Sequence, residues 1–83
     1  MKPIDLLLEL QKRLETHPDK DGGINGHRSK SGNIFLCKAE CVIQLFSKDP
    51  QCEEFIKLKQ YLKDELNLEV LDDDTGFIEV WCK

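Results

Sequence analysis

Three consecutive carboxylates, Asp72, Asp73 and Asp74, are followed by Thr75 and Gly76 and stand between two short apolar alternations, residues 68–71 and 77–81. Carboxylates at this density suit either a divalent cation or a basic protein surface. A calcium loop requires oxygen ligands at alternate positions, a glycine at the sixth and a glutamate well beyond it. Gly76 falls fifth from Asp72, and no such glutamate follows. The segment therefore reads as a solvated acidic turn, with no metal expected, which also discourages an edge strand from aggregating.

A second constellation is Gly26-His27-Arg28-Ser29-Lys30-Ser31-Gly32. Cations, hydroxyls and glycine-freed amides in this order suit a phosphate, above all where a helix begins just after them. It is not a Walker loop, because Ser29 precedes Lys30 and no Gly-Lys-Ser/Thr occurs. His27, Arg28 and Lys30 are the residues that would meet an anion or a nucleic acid. Cys37 and Cys41 stand four apart, with Cys52, Cys82, His17 and His27 elsewhere. Zinc sites pair their ligands closely twice over, and only one close pair exists here, so small buried thiols are expected instead of a metal centre. A Cys–His nucleophile has nothing to orient its base, and no serine-centred motif occurs; no cofactor and no catalytic residue are expected. His17-Pro18-Asp19 copies the tripeptide of J-domain co-chaperones. Those domains place two helices before it, whereas only 16 residues precede it here, so the tripeptide carries no assignment.

The net charge of −4 is unevenly placed. Residues 67–83 hold Lys83 against Glu69, Asp72, Asp73, Asp74 and Glu79, which equals the whole excess. Such asymmetry bears on partners and association rates rather than on fold. At 83 residues the chain has room for one domain and one modest core. Ordering it costs on the order of 120 kcal/mol of conformational entropy, at about 1.5 kcal/mol per residue. Most of its apolar residues must be buried to offset that, leaving little for a deep cleft. No apolar run approaches the roughly 18–20 residues of a membrane span. Asp5 and Pro3 stand where a signal peptide has its apolar stretch, so the cytoplasm is the expected compartment and the cysteines are expected as free thiols.

The elements follow from periodicity. Pro3 suits the first turn of a helix in which Ile4, Leu7, Leu10 and Leu14 recur, and His17-Pro18 ends it. Residues 17–33 form a long polar connection with four of the five glycines and, around Ile24, a possible short strand. Residues 33–47 fit two templates. As a helix, Phe35, Ala39, Val42 and Phe46 line one face; as a strand, Phe35, Cys37, Ala39, Cys41, Ile43 and Leu45 alternate. Length and the Lys, Ala, Glu and Gln content favour helix. The strand alternative implies a three-stranded sheet carrying two helices. A third helix is expected with Asp49 as cap, Pro50 at its first position, a stripe of Cys52, Phe55, Leu58, Leu62 and Leu66, and a left-handed stop at Asn67. In the terminal hairpin, Leu68 and Val70 share the core face with Ile78, Val80 and Cys82, while Leu71, Phe77 and Trp81 point away.

Helix, long connection, helix, turn, helix, hairpin resembles the order of a winged helix, an α+β layout of three helices and a C-terminal β-hairpin. The likeness is architectural and carries no function by itself. The acidic wing would be repelled by phosphates, which opposes DNA binding through it. The expected function is that of a small non-enzymatic regulator or inhibitor that binds a basic protein partner through Asp72, Asp73, Asp74, Phe77, Glu79 and Trp81. Nucleic-acid binding through His27, Arg28 and Lys30 is the alternative.

Overall fold

The computed structural model describes residues 2–19 and 26–82. Helix α1, Pro3–Leu14, opens with proline in its first turn, where the missing N–H removes no helical bond. It ends two residues before His17-Pro18, at Glu15, which takes a left-handed φ of 50°. The Thr16 N–H then donates to the Gln11 carbonyl at 3.0 Å, satisfying a terminal acceptor. Strands β1 (His17–Pro18) and β2 (His27–Arg28) follow. The segment around Ile24, where the sequence allows a short strand, lies outside the described residues.

Residues 33–47 are not a helix but a hairpin, β3 (Ile34–Ala39) and β4 (Val42–Ser47). Ala39 pairs with Val42 and Phe35 with Phe46 across a two-residue turn at Glu40 and Cys41. Glu40 adopts a φ of 36°, the left-handed conformation that a tight hairpin turn requires. Phe35, Ala39, Val42 and Phe46 do share one face, as the helical stripe demanded, but they do so as cross-strand partners. A hairpin centred between residues 40 and 41 brings together the same four residues as a helix would. The continuous alternation of the strand reading also fails, because the turn shifts its phase.

The last helical segment begins later than its sequence signals imply. Asp49 and Pro50 form a turn in which Asp49 Oδ1 accepts the Gln51 N–H at 3.1 Å and its carbonyl accepts the Cys52 N–H at 3.1 Å. Helix α2, Glu53–Gln60, starts after Cys52. It runs on through one wide π-type turn, Tyr61–Glu65, where the Leu66 N–H reaches back five residues to the Tyr61 carbonyl at 3.1 Å. Asn67 takes the expected left-handed φ, 53°. Strands β5 (Glu69–Asp72) and β6 (Phe77–Trp81) complete the chain.

Among the described residues all pairings are antiparallel, in the order β1-β2-β3-β4-β6-β5, giving one open six-stranded sheet. The architecture is thus α+β, two helices on an open antiparallel sheet. The helix expected over residues 33–47, and with it the three-helix winged-helix layout, is overturned by the β3–β4 hairpin, which inserts β4 beside β6. Leu6, Leu7 and Leu10 of α1 and Phe55, Leu58, Tyr61 and Leu62 of the second helical segment are buried in one cluster with Ile34, Leu36, Ile43, Leu45, Ile78 and Val80. By register those six strand residues occupy one side of the sheet. The Tyr61 hydroxyl donates to Glu9 at 3.2 Å and the Arg13 guanidinium lies 3.8 Å over its ring, tying the two helices together. One edge of the sheet ends in Pro18, which has no N–H to offer a further strand; the other is β5.

Candidate functional site

Because side chains alternate along a strand, burying Ile34, Leu36, Ile43, Leu45, Ile78 and Val80 sends their neighbours to the opposite side. That side is uncovered: among the described residues, no element lies over it. Register sets Phe35, Phe46 and Phe77 in one row across β3, β4 and β6. Arg28 pairs with Phe35 at the end of this row, its guanidinium carbon 5.7 Å from the ring centroid. A second row holds Cys37, Gln44, Glu79 and Leu71, and a third Ala39, Val42, Trp81 and Glu69. Phe46 is 48% exposed, Trp81 41% and Leu71 50%. Val42 is buried yet belongs to no part of the core beneath the helices, in keeping with its place opposite Trp81.

The acidic turn closes one end of this face. Gly76 takes a φ of 97°, and a Cβ on it would stand 2.8 Å from the Ser47 carbonyl oxygen. The Ser47 N–H donates to the Gly76 carbonyl at 2.7 Å, so only glycine lets the turn lie this close to β4. Asp72 Oδ1 accepts the Asp74 N–H at 2.9 Å, and Asp73 Oδ1 accepts both the Thr75 N–H at 3.0 Å and the Thr75 hydroxyl at 2.6 Å. Asp74 takes a left-handed φ of 63°. The Asp74 N–H, and after it the Lys59 ammonium, hold the Asp72 carboxyl below its ordinary range. The Thr75 hydroxyl and N–H do the same for Asp73.

The six residues that the sequence offers as a contact surface therefore separate. Phe77, Glu79 and Trp81 lie together on the uncovered face, and Asp73 borders it. Asp74 projects from the turn. Asp72 pairs with Ile78 and so belongs to the helix side, where the Lys59 Nζ donates to its Oδ2 at 3.0 Å. One of the three negative charges is thus offset by a partly buried lysine. A shallow pocket of about 240 Å³ is lined by Leu71, Asp72, Asp73, Phe77 and Glu79, joining the apolar face to the acidic turn. Phe35, Val42 and Phe46 were not legible as members of this surface, because a helical reading of residues 33–47 leaves them on a buried stripe. The signal that finds them is their symmetry about Glu40 and Cys41.

The basic loop is built differently from what anion binding requires. β3, not a helix, follows it. The amides of Ser29, Lys30 and Gly32 donate to the carbonyls of Ile34, Leu14 and Ser29, at 2.8, 3.1 and 2.9 Å. Those of Asn33 and Ile34 donate to the hydroxyls of Ser31 and Ser29, at 3.3 and 3.1 Å. Arg28 is engaged by the Asp19 carboxylate and by the Gly32 carbonyl, the latter at 3.2 Å. His27 pairs with Leu36, on the helix side, and Lys30 stands 3.9 Å from Glu15 at an exposed position. His27, Arg28 and Lys30 do not converge on one point of the surface. A larger pocket of about 730 Å³ between the end of α1 and the start of α2 brings Lys30 near Arg13 and Lys57. Glu15 and Glu54 line it too, and the Ser31 hydroxyl donates to Glu54 at 2.7 Å, so its charges answer one another.

Among the described residues, no group of three His, Cys, Asp or Glu side chains is placed to hold a metal ion, and no helix is long and apolar enough to cross a membrane. Compared with known proteins, the chain matches no family model, no curated protein and no solved structure. What the fold and this surface define is an α+β protein with one side of its sheet packed by helices and the other aromatic and, among the described residues, uncovered.

Proposed function

We propose that this protein acts by binding, as a small non-enzymatic regulator or inhibitor whose bare sheet face receives a basic protein partner. The observation that carries the reading is the row of Phe35, Phe46 and Phe77, with Trp81 and Leu71 beside it, on a surface no described element covers. Contiguous exposed apolar surface of this kind marks interaction sites in soluble proteins, and aromatic anchors supply most of the affinity at interfaces. Glu69, Glu79, Asp73 and Asp74 lie on or beside the face, and Arg28, beside Phe35, is already engaged by Asp19. That sign of charge steers encounter toward a basic surface.

Nucleic-acid binding through His27, Arg28 and Lys30 is the weaker reading. Affinity for a polyanion rests on cations free to neutralise phosphates, and Arg28 is held within the chain. Aromatic sheet faces do stack bases, but here the flanking charges repel the backbone that joins them.

The test is capture by the immobilised chain from lysate of its native cell, with and without nuclease, beside a Phe46→Ser/Trp81→Ser variant. The expected result is a basic protein retained in both nuclease arms, eluted by salt and absent from the variant. Material lost on nuclease treatment would replace this reading with the nucleic-acid one. A partner retained equally by the variant would remove the sheet face from consideration.

A further inference from the structure

We infer that Cys41 and Cys82 form a dithiol site that closes reversibly into a disulfide. The β4–β6 ladder pairs Val42 with Trp81, so the next position outward sets Cys41 opposite Cys82. The Cys82 N–H donates to the Cys41 carbonyl at 3.0 Å, which fixes that register. Antiparallel partners that share such a bond have Cα atoms about 5.5 Å apart. A disulfide needs roughly 4.4–6.8 Å between Cα atoms, so the backbone already meets its main requirement. The β-carbons must still approach, and the pair stands one position beyond the Val42–Trp81 rung, next to the turn at Glu40 and Cys41. A bond closed against some residual strain is a reducible one.

The two thiols are also unequally placed. Cys41 is exposed, while Cys82 is buried among the residues under the helices, and that burial raises its thiol. Cys41 is therefore the sulfur that a solution oxidant meets and Cys82 the one that resolves. The co-reactant is a low-molecular-weight disulfide such as oxidised glutathione. The Cys41 thiolate attacks one of its sulfurs, forming a mixed disulfide and releasing one glutathione thiolate. The Cys82 thiolate then attacks the Cys41 sulfur and expels the second. Two protein thiols are oxidised, one small disulfide is reduced to two thiols, and the two protons pass to the leaving sulfurs. No equivalent partner faces the other cysteines. Cys37 stands opposite Gln44 and its thiol donates to that side-chain carbonyl at 3.4 Å, while Cys52 precedes α2 with its sulfur 3.9 Å from the Ser47 hydroxyl. Closure would fasten the ladder next to Trp81, at one corner of the bare face, but the chemistry stands whatever that face binds.

The test exposes the reduced full chain to a glutathione redox series and maps alkylated and cross-linked peptides by mass spectrometry. The expected result is loss of two thiols together, one cross-linked peptide joining residues 41 and 82, and Cys37 and Cys52 still alkylated. Reductant should restore all thiols, and Cys41→Ser should form no internal bond. The cross-link closes a loop of about 40 residues, so the oxidised chain should unfold at higher denaturant than the reduced one. Cys41 and Cys82 remaining alkylatable in full oxidant would overturn the inference. So would glutathione held stably on Cys41, or bonds scattered over Cys37 and Cys52.

Discussion

Leu45 and Phe46 are neighbours on β4 with opposite surroundings. Leu45 is fully buried in the cluster made with α1 and α2, whereas Phe46 keeps 48% of its surface. The same division runs through β6, with Ile78 and Val80 buried and Trp81 exposed. Both sides of the sheet carry apolar rows, so hydrophobicity alone does not decide which becomes core. What decides it is how many helices the chain can lay down. Two amphipathic segments cover one side, and the other keeps aromatics beside carboxylates, a composition that suits a partner better than solvent.

The largest expected effect sets those two sides against each other. Leu45→Ala should destabilise the fold by about 2–5 kcal/mol, since it empties a fully packed site. Phe46→Ala should cost no more than about 1 kcal/mol, the worth of a cross-strand contact. Denaturant melts of the two variants check this, and equal losses would mean that the Phe46 side is packed after all. Next comes the junction that holds the acidic turn against β4. Gly76→Ala meets both a left-handed backbone and the Ser47 carbonyl, and should cost about 2 kcal/mol or more. Gly32 has a φ of 84° but open space around its would-be Cβ, so Gly32→Ala should cost only about 1 kcal/mol. The same melts rank the two.

A smaller effect separates Asp72 from the other carboxylates of the turn. Its folded-state pKa is lowered, so its contribution is present above the unfolded value of about 4 and is lost as pH falls through the folded one. Asp72→Asn should cost about 1–2 kcal/mol at neutral pH, where it breaks a partly buried pair with Lys59, and should flatten the acid limb of stability against pH. Smallest for the fold is Asp73→Lys/Asp74→Lys, which should move the denaturant midpoint least of the set because both sites are exposed. Its effect belongs to binding: association with a basic partner should slow and lose most of its salt dependence in stopped-flow mixing, with dissociation little changed.

The elements legible in the sequence are those whose signals are local. Pro3 and the leucines of α1 mark a helix, and Asn67 marks the end of the last one. The alternation around Asp72–Asp74 identifies the β5–β6 hairpin together with the correct side for Leu71, Phe77 and Trp81. The β3–β4 hairpin was hidden because its turn, Glu40 and Cys41, contains no glycine, asparagine or proline, and Glu40 supplies the left-handed residue instead. Reflection about that turn brings together Phe35 with Phe46 and Ala39 with Val42, a set that a helix stripe matches equally well. β1 and β2 are two residues each, too short for any period to register. The site suffered from the same gap: Phe77, Glu79 and Trp81 were legible within one hairpin, whereas Phe35 and Phe46 join them only through the long-range pairing of β4 with β6.

Trp81 is the chain's one tryptophan and lies on the bare face, which makes it a reporter for the central claim. The most direct measurement is ¹⁹F NMR of the chain labelled with 5-fluorotryptophan, free and with the captured partner, reading the solvent isotope shift between H₂O and D₂O. A single resonance with a large isotope shift is predicted for the free chain, moving and losing most of that shift in the complex. A resonance already shielded when free, or one that keeps its full solvent shift when the partner is bound, would contradict the assignment of this face to binding.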